Sequence, residues 1–168
     1  QAIEDKVGVD ATGEVFNSIA AIERMKGKEI NSCVNPGDIA TTSMIKGADY
    51  DAKWNNIITT NSDFAGRALT VNEPVYKSEA ATNQRNQAIA ELLFAYDRMY
   101  WDPIKATDLY TKQCAINVNA HDLAMMAATF ANGGTNPVTG KVVVSPNTVE
   151  HTLAVMATAG LYDDSGIW

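Results

Sequence analysis

Ser43 and Lys46, in the stretch TTSMIKG (41–47), stand three residues apart. On a helix that spacing puts both side chains on one face, where the lysine amine can take the serine proton and start an acyl transfer. Four other positions could carry polar chemistry. Asn35, in the turn VNPGD (34–38), is placed to cap the helix that follows. Glu79 and Asn86 are two helical turns apart on one face, with solvated surface as the default reading. Tyr110 and Tyr162 read as aromatics at the edge of a core. His121 and His151, the only histidines, have no H-x-x-x-H or H-x-E pairing, so neither a metal site nor a cofactor is expected.

The elements that must position these residues are mostly helices. SEAATNQRNQAIAELLFAYDRMYW (78–101) carries Ile89, Leu92, Leu93, Tyr96 and Met99 at helical spacing and predicts one long amphipathic helix. WDPIKATDLYTKQC opens with Asp102 as N-cap and Pro103 at the first helical position. VNAHDLAMMAATFANGG predicts an Asn119 cap, an inward face of Leu123, Met126, Ala127 and Phe130, and a stop at Gly133 and Gly134. SPNTVEHTLAVMATAG repeats this grammar with a Ser145 cap, Pro146 in the first turn, and Val149, Leu153 and Met156 inside. Strand signal is confined to TGKVVVS, one arm of a short hairpin near 137–145 after the turn NPVTG.

Bulk composition narrows the partners. The 168 residues suffice for a single domain, and 46% hydrophobic with 20% charged residues is ordinary for a globular chain. A net charge of -7 repels phosphate backbones and anionic bilayers, so neither nucleic acid nor membrane is an expected partner. Cys33 and Cys114 lie in apolar contexts without a CxxC spacing; they read as buried, reduced thiols and suit a cytoplasmic protein. The chain starts at Gln1 and stops at YDDSGIW, and both ends are expected to be cuts through a longer protein.

Six blocks, VGVDATGEVFNSI, VNPGDIATTSMI, SEAATNQRNQAIAELL, DLYTKQCAI, AHDLAMMAATFANGGTNPVTGKVV and VMATAGLYDDSG, together resemble the serine-dependent glutaminases, relatives of β-lactamases and penicillin-binding proteins. They occur in the family's order and approximate spacing from about residue 7 to the end. The resemblance implies a mainly α fold class, the helical subdomain of a β-lactamase-like fold. It also implies hydrolysis of L-glutamine to L-glutamate and ammonia through a serine acyl-enzyme, in a parent enzyme that is a homo-oligomer. The family's own Ser-x-x-Lys would precede Gln1, and its Lys-Ser-Gly motif, with the rest of the α/β part, would follow Trp168. Residues 1–168 alone are therefore expected to be inactive. Ser43 then becomes a decoy, in a helix that is only structural in the family, where Thr41 and Thr42 favour packing or back-bonding.

By the same resemblance, Glu79 matches the glutamate that accepts the α-ammonium, and Asn35, Asn86 and Tyr110 match residues that hydrogen-bond the substrate. Tyr162 matches the catalytic tyrosine beside the nucleophile, a proton shuttle. The turn departs from the family's Asn-Ala-Gly-Ala. Pro36 removes a backbone N–H, and Asp38 either adds a charge near the bound α-carboxylate or points to solvent as a first-turn acid. Ser32 replaces a frequent proline. Two alternatives stay open: a non-catalytic helical module that binds glutamine or a protein partner, and another acylating serine hydrolase of the β-lactamase-like class. An upstream Ser-x-x-Lys removes the first; Glu79, suited to an α-amino group, argues against the second.

Overall fold

In a computed structural model of the chain, residues 2–167 are described. Gln1 and Trp168, the two ends on which the reading of the termini turned, lie outside them. The described residues form nine α-helices and a short 3-10 turn: α1 (Ala2–Lys6), α2 (Ile19–Met25), α3 (Asn35–Ser43), α4 (Tyr50–Ala65), α5 (Glu73–Thr82), α6 (Gln84–Ala95), α7 (Pro103–Cys114), α8 (Ala120–Ala131), α9 (Pro146–Ala159) and the turn Tyr162–Asp164. No helix among them is long and apolar enough to cross a membrane.

The centre is a packing of α3, α6 and α7 against one another, with α2 on α6, α5 on α7, and α4 bridging α7 and α8. Ile39 and Ala40 of α3, Ile89, Ala90 and Leu93 of α6, and Ala106 of α7 share one buried cluster with Val7, Ile22, Ile30 and Met99. Each of the three central helices gives that cluster an alanine. A side chain of one methyl lets neighbouring backbones approach closely, and the larger isoleucines and Leu93 fill the volume around it.

Local chemistry fixes most helix starts. Asp102, Asn119 and Ser145 cap α7, α8 and α9 as expected, and Asn119 with Asp122 forms a capping box. Asp49 and Asn72 cap α4 and α5 by the same bond to a backbone N–H.

Several expectations change. The long helix over 78–101 is two helices, broken at Asn83 and ending at Ala95. Asn83 donates to Thr111 on α7 (3.0 Å) and accepts from Gln87 (2.6 Å), while Thr82 back-bonds to the Ser78 carbonyl (3.1 Å). These side-chain bonds compete with helix continuation and turn the chain there. In α8 the buried positions are Asp122 and Thr129, whereas Leu123 is 56% exposed. Thr129 donates to the Phe64 carbonyl (3.2 Å) and Phe130 stacks on Phe64 (4.8 Å), so contact with α4 chose the inward face. In α9 Val149 is buried but Leu153 and Met156 are exposed. The hairpin reduces to a single bridge between Thr135 and Val142, with no strand among the described residues. Asn136, fully buried, holds this loop by donating to the Asp63 and Phe64 carbonyls (3.0 and 3.2 Å). Cys33 is half-buried and Cys114, the last residue of α7, is exposed; both are free.

Two outcomes follow. Leu93→Ala should lower unfolding free energy by about 3 kcal/mol in a urea titration, the cost of a cavity at a fully buried leucine. The Asp122 carboxyl is held below its ordinary range, first by the Arg67 fork (2.7 and 2.5 Å). A depressed carboxylate gives stability that is present above its unfolded value near ~4 and lost as pH falls through the folded one. Arg67→Met should therefore lower the melting temperature at pH 7, and its deficit should shrink steadily on acidification in pH-resolved melts.

Candidate functional site

Three of the residues singled out in the sequence, Asn35, Asn86 and Tyr110, converge where α3, α6 and α7 meet. Asn35 is the first residue of α3, not its cap; Val34 holds the cap position, without a side-chain bond. That frees the Asn35 amide to work sideways. Its Nδ2 donates to Asn86 Oδ1 on α6 (3.0 Å), and its Oδ1 accepts from the Tyr110 hydroxyl on α7 (3.3 Å). Three helices are thus joined by one polar chain, with all three side chains half-buried.

The entry to α3 is held tightly. Pro36 is buried in the first turn, where its missing N–H would have had no helical partner. At Gly37 a Cβ would sit 2.1 Å from the Asn31 carbonyl oxygen, so only glycine permits this approach. Asn31 itself is buried, donates to the Ala159 carbonyl (2.9 Å) and accepts from the Cys33 N–H (2.8 Å), tying α3 to the end of α9.

Tyr162 follows α9 and reaches the same region. It is 61% exposed and has a left-handed φ of 51°, a strained conformation for a tyrosine. Phe16 keeps it there. The Phe16 ring meets the Tyr162 ring edge-on (5.7 Å), its N–H donates to Asp163 (2.6 Å), and its carbonyl accepts from the Asn35 N–H (3.0 Å). Tyr162 lies within electrostatic reach of the Tyr110 hydroxyl. Burial, with a smaller part from the Cys114 thiol, pushes Tyr110 well above the usual tyrosine range, so it stays a neutral donor.

Glu79 and Asn86 do not share a helix, because the chain turns at Asn83 between them. Glu79 is exposed on α5 and acts electrostatically on Cys114. Two further residues belong to this cluster. Asp38 follows Asn35 by one turn of α3; it is half-buried, not solvent-facing, and bears on Tyr110, Cys114 and Cys33. Cys114 follows Tyr110 by one turn of α7. The spacings 35/38 and 110/114 were the signals that could have found both.

Ser43 lies elsewhere. Its hydroxyl is buried, donates to the Ala40 carbonyl (2.5 Å) and accepts from the Tyr100 N–H (3.1 Å). α3 ends at Ser43, and Lys46 is exposed beyond it, so the two never share a helical face. A cleft of ≈ 320 Å³ runs between α1, Ser32, Cys33, Thr41 and α9 and includes His151. It contains none of the hydrogen-bonded trio, so the polar cluster rather than this cleft is the candidate site. No group of three or more potential metal ligands occurs among the described residues.

The comparisons agree with one another. The family model described as Glutaminase matches residues 1–168. The chain is 52% identical over 164 residues to glutaminase 2 of Yersinia pestis, covering 98% of this chain and 48% of that protein. It is 50% identical over 168 residues to a glutaminase of Colwellia psychrerythraea, covering 100% and 54%. Among solved structures, the probable glutaminase YbaS superposes with a TM-score of 0.96 at 42% identity, over 100% of this chain and 54% of that one. A Bacillus glutaminase gives 0.92 at 28% identity, over 98% and 56%. These neighbours have the β-lactamase-like fold, and the described residues correspond to a helical portion of it. The chain spans about half the length of the curated relatives it matches.

Ser43→Ala leaves the Tyr100 N–H without its acceptor. It should cost about 1 kcal/mol in chemical denaturation, with no change in the Asn35–Asn86–Tyr110 chain when the variant's structure is determined.

Proposed function

The chain belongs to the glutaminase family, and we propose that it is the helical, substrate-recognising half of an enzyme that hydrolyses L-glutamine to L-glutamate and ammonia. The observation that carries this reading is the Asn86–Asn35–Tyr110 chain, which gathers hydrogen-bonding side chains from three helices. Glutamine offers an ammonium, a carboxylate and an amide. Neutral amide and hydroxyl groups at Asn35, Asn86 and Tyr110 bind its carboxylate and amide ends, and the Glu79 carboxylate accepts its ammonium. Such a site rejects analogues that leave its polar groups unpaired.

The chemical step uses a serine acyl-enzyme. The nucleophile belongs to a Ser-x-x-Lys motif in the part of the enzyme N-terminal to residue 1, and a Lys-Ser-Gly motif follows residue 168. Serine Oγ attacks the side-chain amide carbon, ammonia leaves, and water hydrolyses the ester to release glutamate. Tyr162 carries protons between the serine, the motif lysine and the leaving ammonia. Its exposed, strained position at the edge of the trio suits a residue that meets partners from the other half. Residues 1–168 by themselves release no ammonia on this reading. Exposed Leu153, Met156 and Leu161 around α9 favour contact with that half or with another subunit of a homo-oligomer.

Ammonia release from L-glutamine by the full-length protein tests the proposal. Glu79→Gln should raise KM by about 100-fold through loss of the ammonium's partner, and Tyr162→Phe should lower kcat by about 100-fold or more. Ser43→Ala should keep its turnover. Absence of ammonia from the intact enzyme would refute the activity, and a folded Ser43→Ala variant without turnover would overturn the assignment of the nucleophile.

A further inference from the structure

α5 has no buried residue, so an apolar core does not place it. Polar contacts with α7 take over that task. The Tyr76 hydroxyl donates to Asp108 Oδ1 (2.7 Å), and Asn83 Nδ2, just past the end of α5, donates to Thr111 Oγ1 (3.0 Å). Before the helix begins, the Asn72 N–H donates to the Ala115 carbonyl (2.7 Å). Tyr76 precedes Glu79 by three residues and Asn83 follows it by four, so a clamp stands one turn to either side of Glu79. On α7 their partners, Asp108 and Thr111, flank Tyr110 in the chain. Resting on the glutamine reading above, we propose that Asp108, with Thr111 as its counterpart, is a positioning residue: it holds α5 against the helix of Tyr110 and so sets where the Glu79 carboxylate meets the substrate's ammonium.

Asp108 has the connections for that role. Its second oxygen accepts from the Tyr50 hydroxyl of α4, so one carboxylate joins α4, α5 and α7. The Lys112 ammonium, one turn further along α7, lies over the Trp54 ring (4.4 Å) and near those of Tyr50 (5.8 Å) and Tyr76 (5.9 Å), drawing the same two tyrosines together. At the other clamp, buried Thr111 donates to the Thr107 carbonyl (2.8 Å), which leaves its oxygen to accept from Asn83. Glu79 is exposed and reaches the site only through the placement of its helix. A helix docked chiefly by hydrogen bonds opens at lower free energy than one seated in a core. Losing one such bond, worth about 1 kcal/mol, therefore loosens α5 more than α3, α6 or α7, which share the buried cluster.

The test compares L-glutamine with glutaramate, which is glutamine without its α-ammonium, as substrates of the full-length enzyme. Wild type should favour L-glutamine in kcat/KM, and Glu79→Gln should abolish that preference. Tyr76→Phe should reduce it about fivefold, the equivalent of one lost hydrogen bond, and Asp108→Ala about tenfold or more. In both, KM for L-glutamine should rise while kcat and the glutaramate kinetics stay unchanged. In a Glu79→Gln background neither substitution should change the preference further. Amide hydrogen exchange should quicken in α5 and not in α6. Variants that slow both substrates equally overturn the proposal, since Asp108 would then be structural. So does a preference left intact in Tyr76→Phe and Asp108→Ala while Glu79→Gln loses it. If Asp108→Ala does not fold, Tyr76→Phe decides alone. A Glu79→Gln enzyme that keeps the preference refutes Glu79 as the ammonium's partner, and the proposal falls with it. If wild type releases no ammonia, the activity reading fails separately. Calorimetric titration with the two ligands then reads the preference in the same variants, equal affinities in wild type counting against Asp108.

Discussion

Ile39 and Ala40 of α3 are buried in one cluster with Ile89, Ala90 and Leu93 of α6 and Ala106 of α7, and the candidate site depends on that contact. Asn35 lies one turn before Ile39, Asn86 one turn before Ala90, and Tyr110 one turn after Ala106. The apolar packing therefore brings the polar residues to a common end of the three helices. Close-packed interiors deform little, so a site mounted this way keeps its donors aligned without a ligand. The hydrogen bonds among the trio add direction to an arrangement that burial has already imposed. Gly37 completes it, since the start of α3 could not approach the Asn31 carbonyl with any larger residue.

The caps at Asp102, Asn119 and Ser145 were legible in the residues themselves because they are settled within one turn, whereas Asn35, expected as a cap, is the first residue of α3. Asp102, Asn119 and Ser145 each bond a backbone N–H three residues on, and no distant partner is needed. The break at Asn83 was not legible, because its partner Thr111 is on another helix. Nor was α4. Its only buried residues are Lys53, Ile57 and Ala65, and it is steadied instead by aromatic and charged contacts that sequence periodicity does not show. The Lys112 ammonium of α7 lies over the Trp54 ring (4.4 Å), and the Tyr50 hydroxyl donates to Asp108. In α8 a hydrophobic pattern pointed to Leu123, yet the buried pair is polar, satisfied by Arg67 and the Phe64 carbonyl.

The family resemblance named Asn35, Asn86, Tyr110, Glu79 and Tyr162; the residues alone favoured bland readings for each. Three of them form one hydrogen-bonded chain, while Glu79 and Tyr162 stand at its margins. Ser43, the residue whose spacing most suggested chemistry, proves to be occupied twice over by backbone partners. The contrast is physical. A motif at helical spacing acts as a pair only if the helix continues through it, and α3 stops at Ser43. Asp38 shows the converse, a first-turn acid turned inward because α7 packs across that face.

On the proposed function, Asn35 and Tyr110 act as one recognition unit held by helix packing. A double-mutant cycle on kcat/KM for L-glutamine, using Asn35→Ala, Tyr110→Phe and the double variant of the full-length enzyme, measures this directly. A coupling of about 1 kcal/mol or more is expected, the double variant losing less than the sum of the singles. Losses that add within about 0.3 kcal/mol, or single variants indistinguishable from wild type, would contradict it.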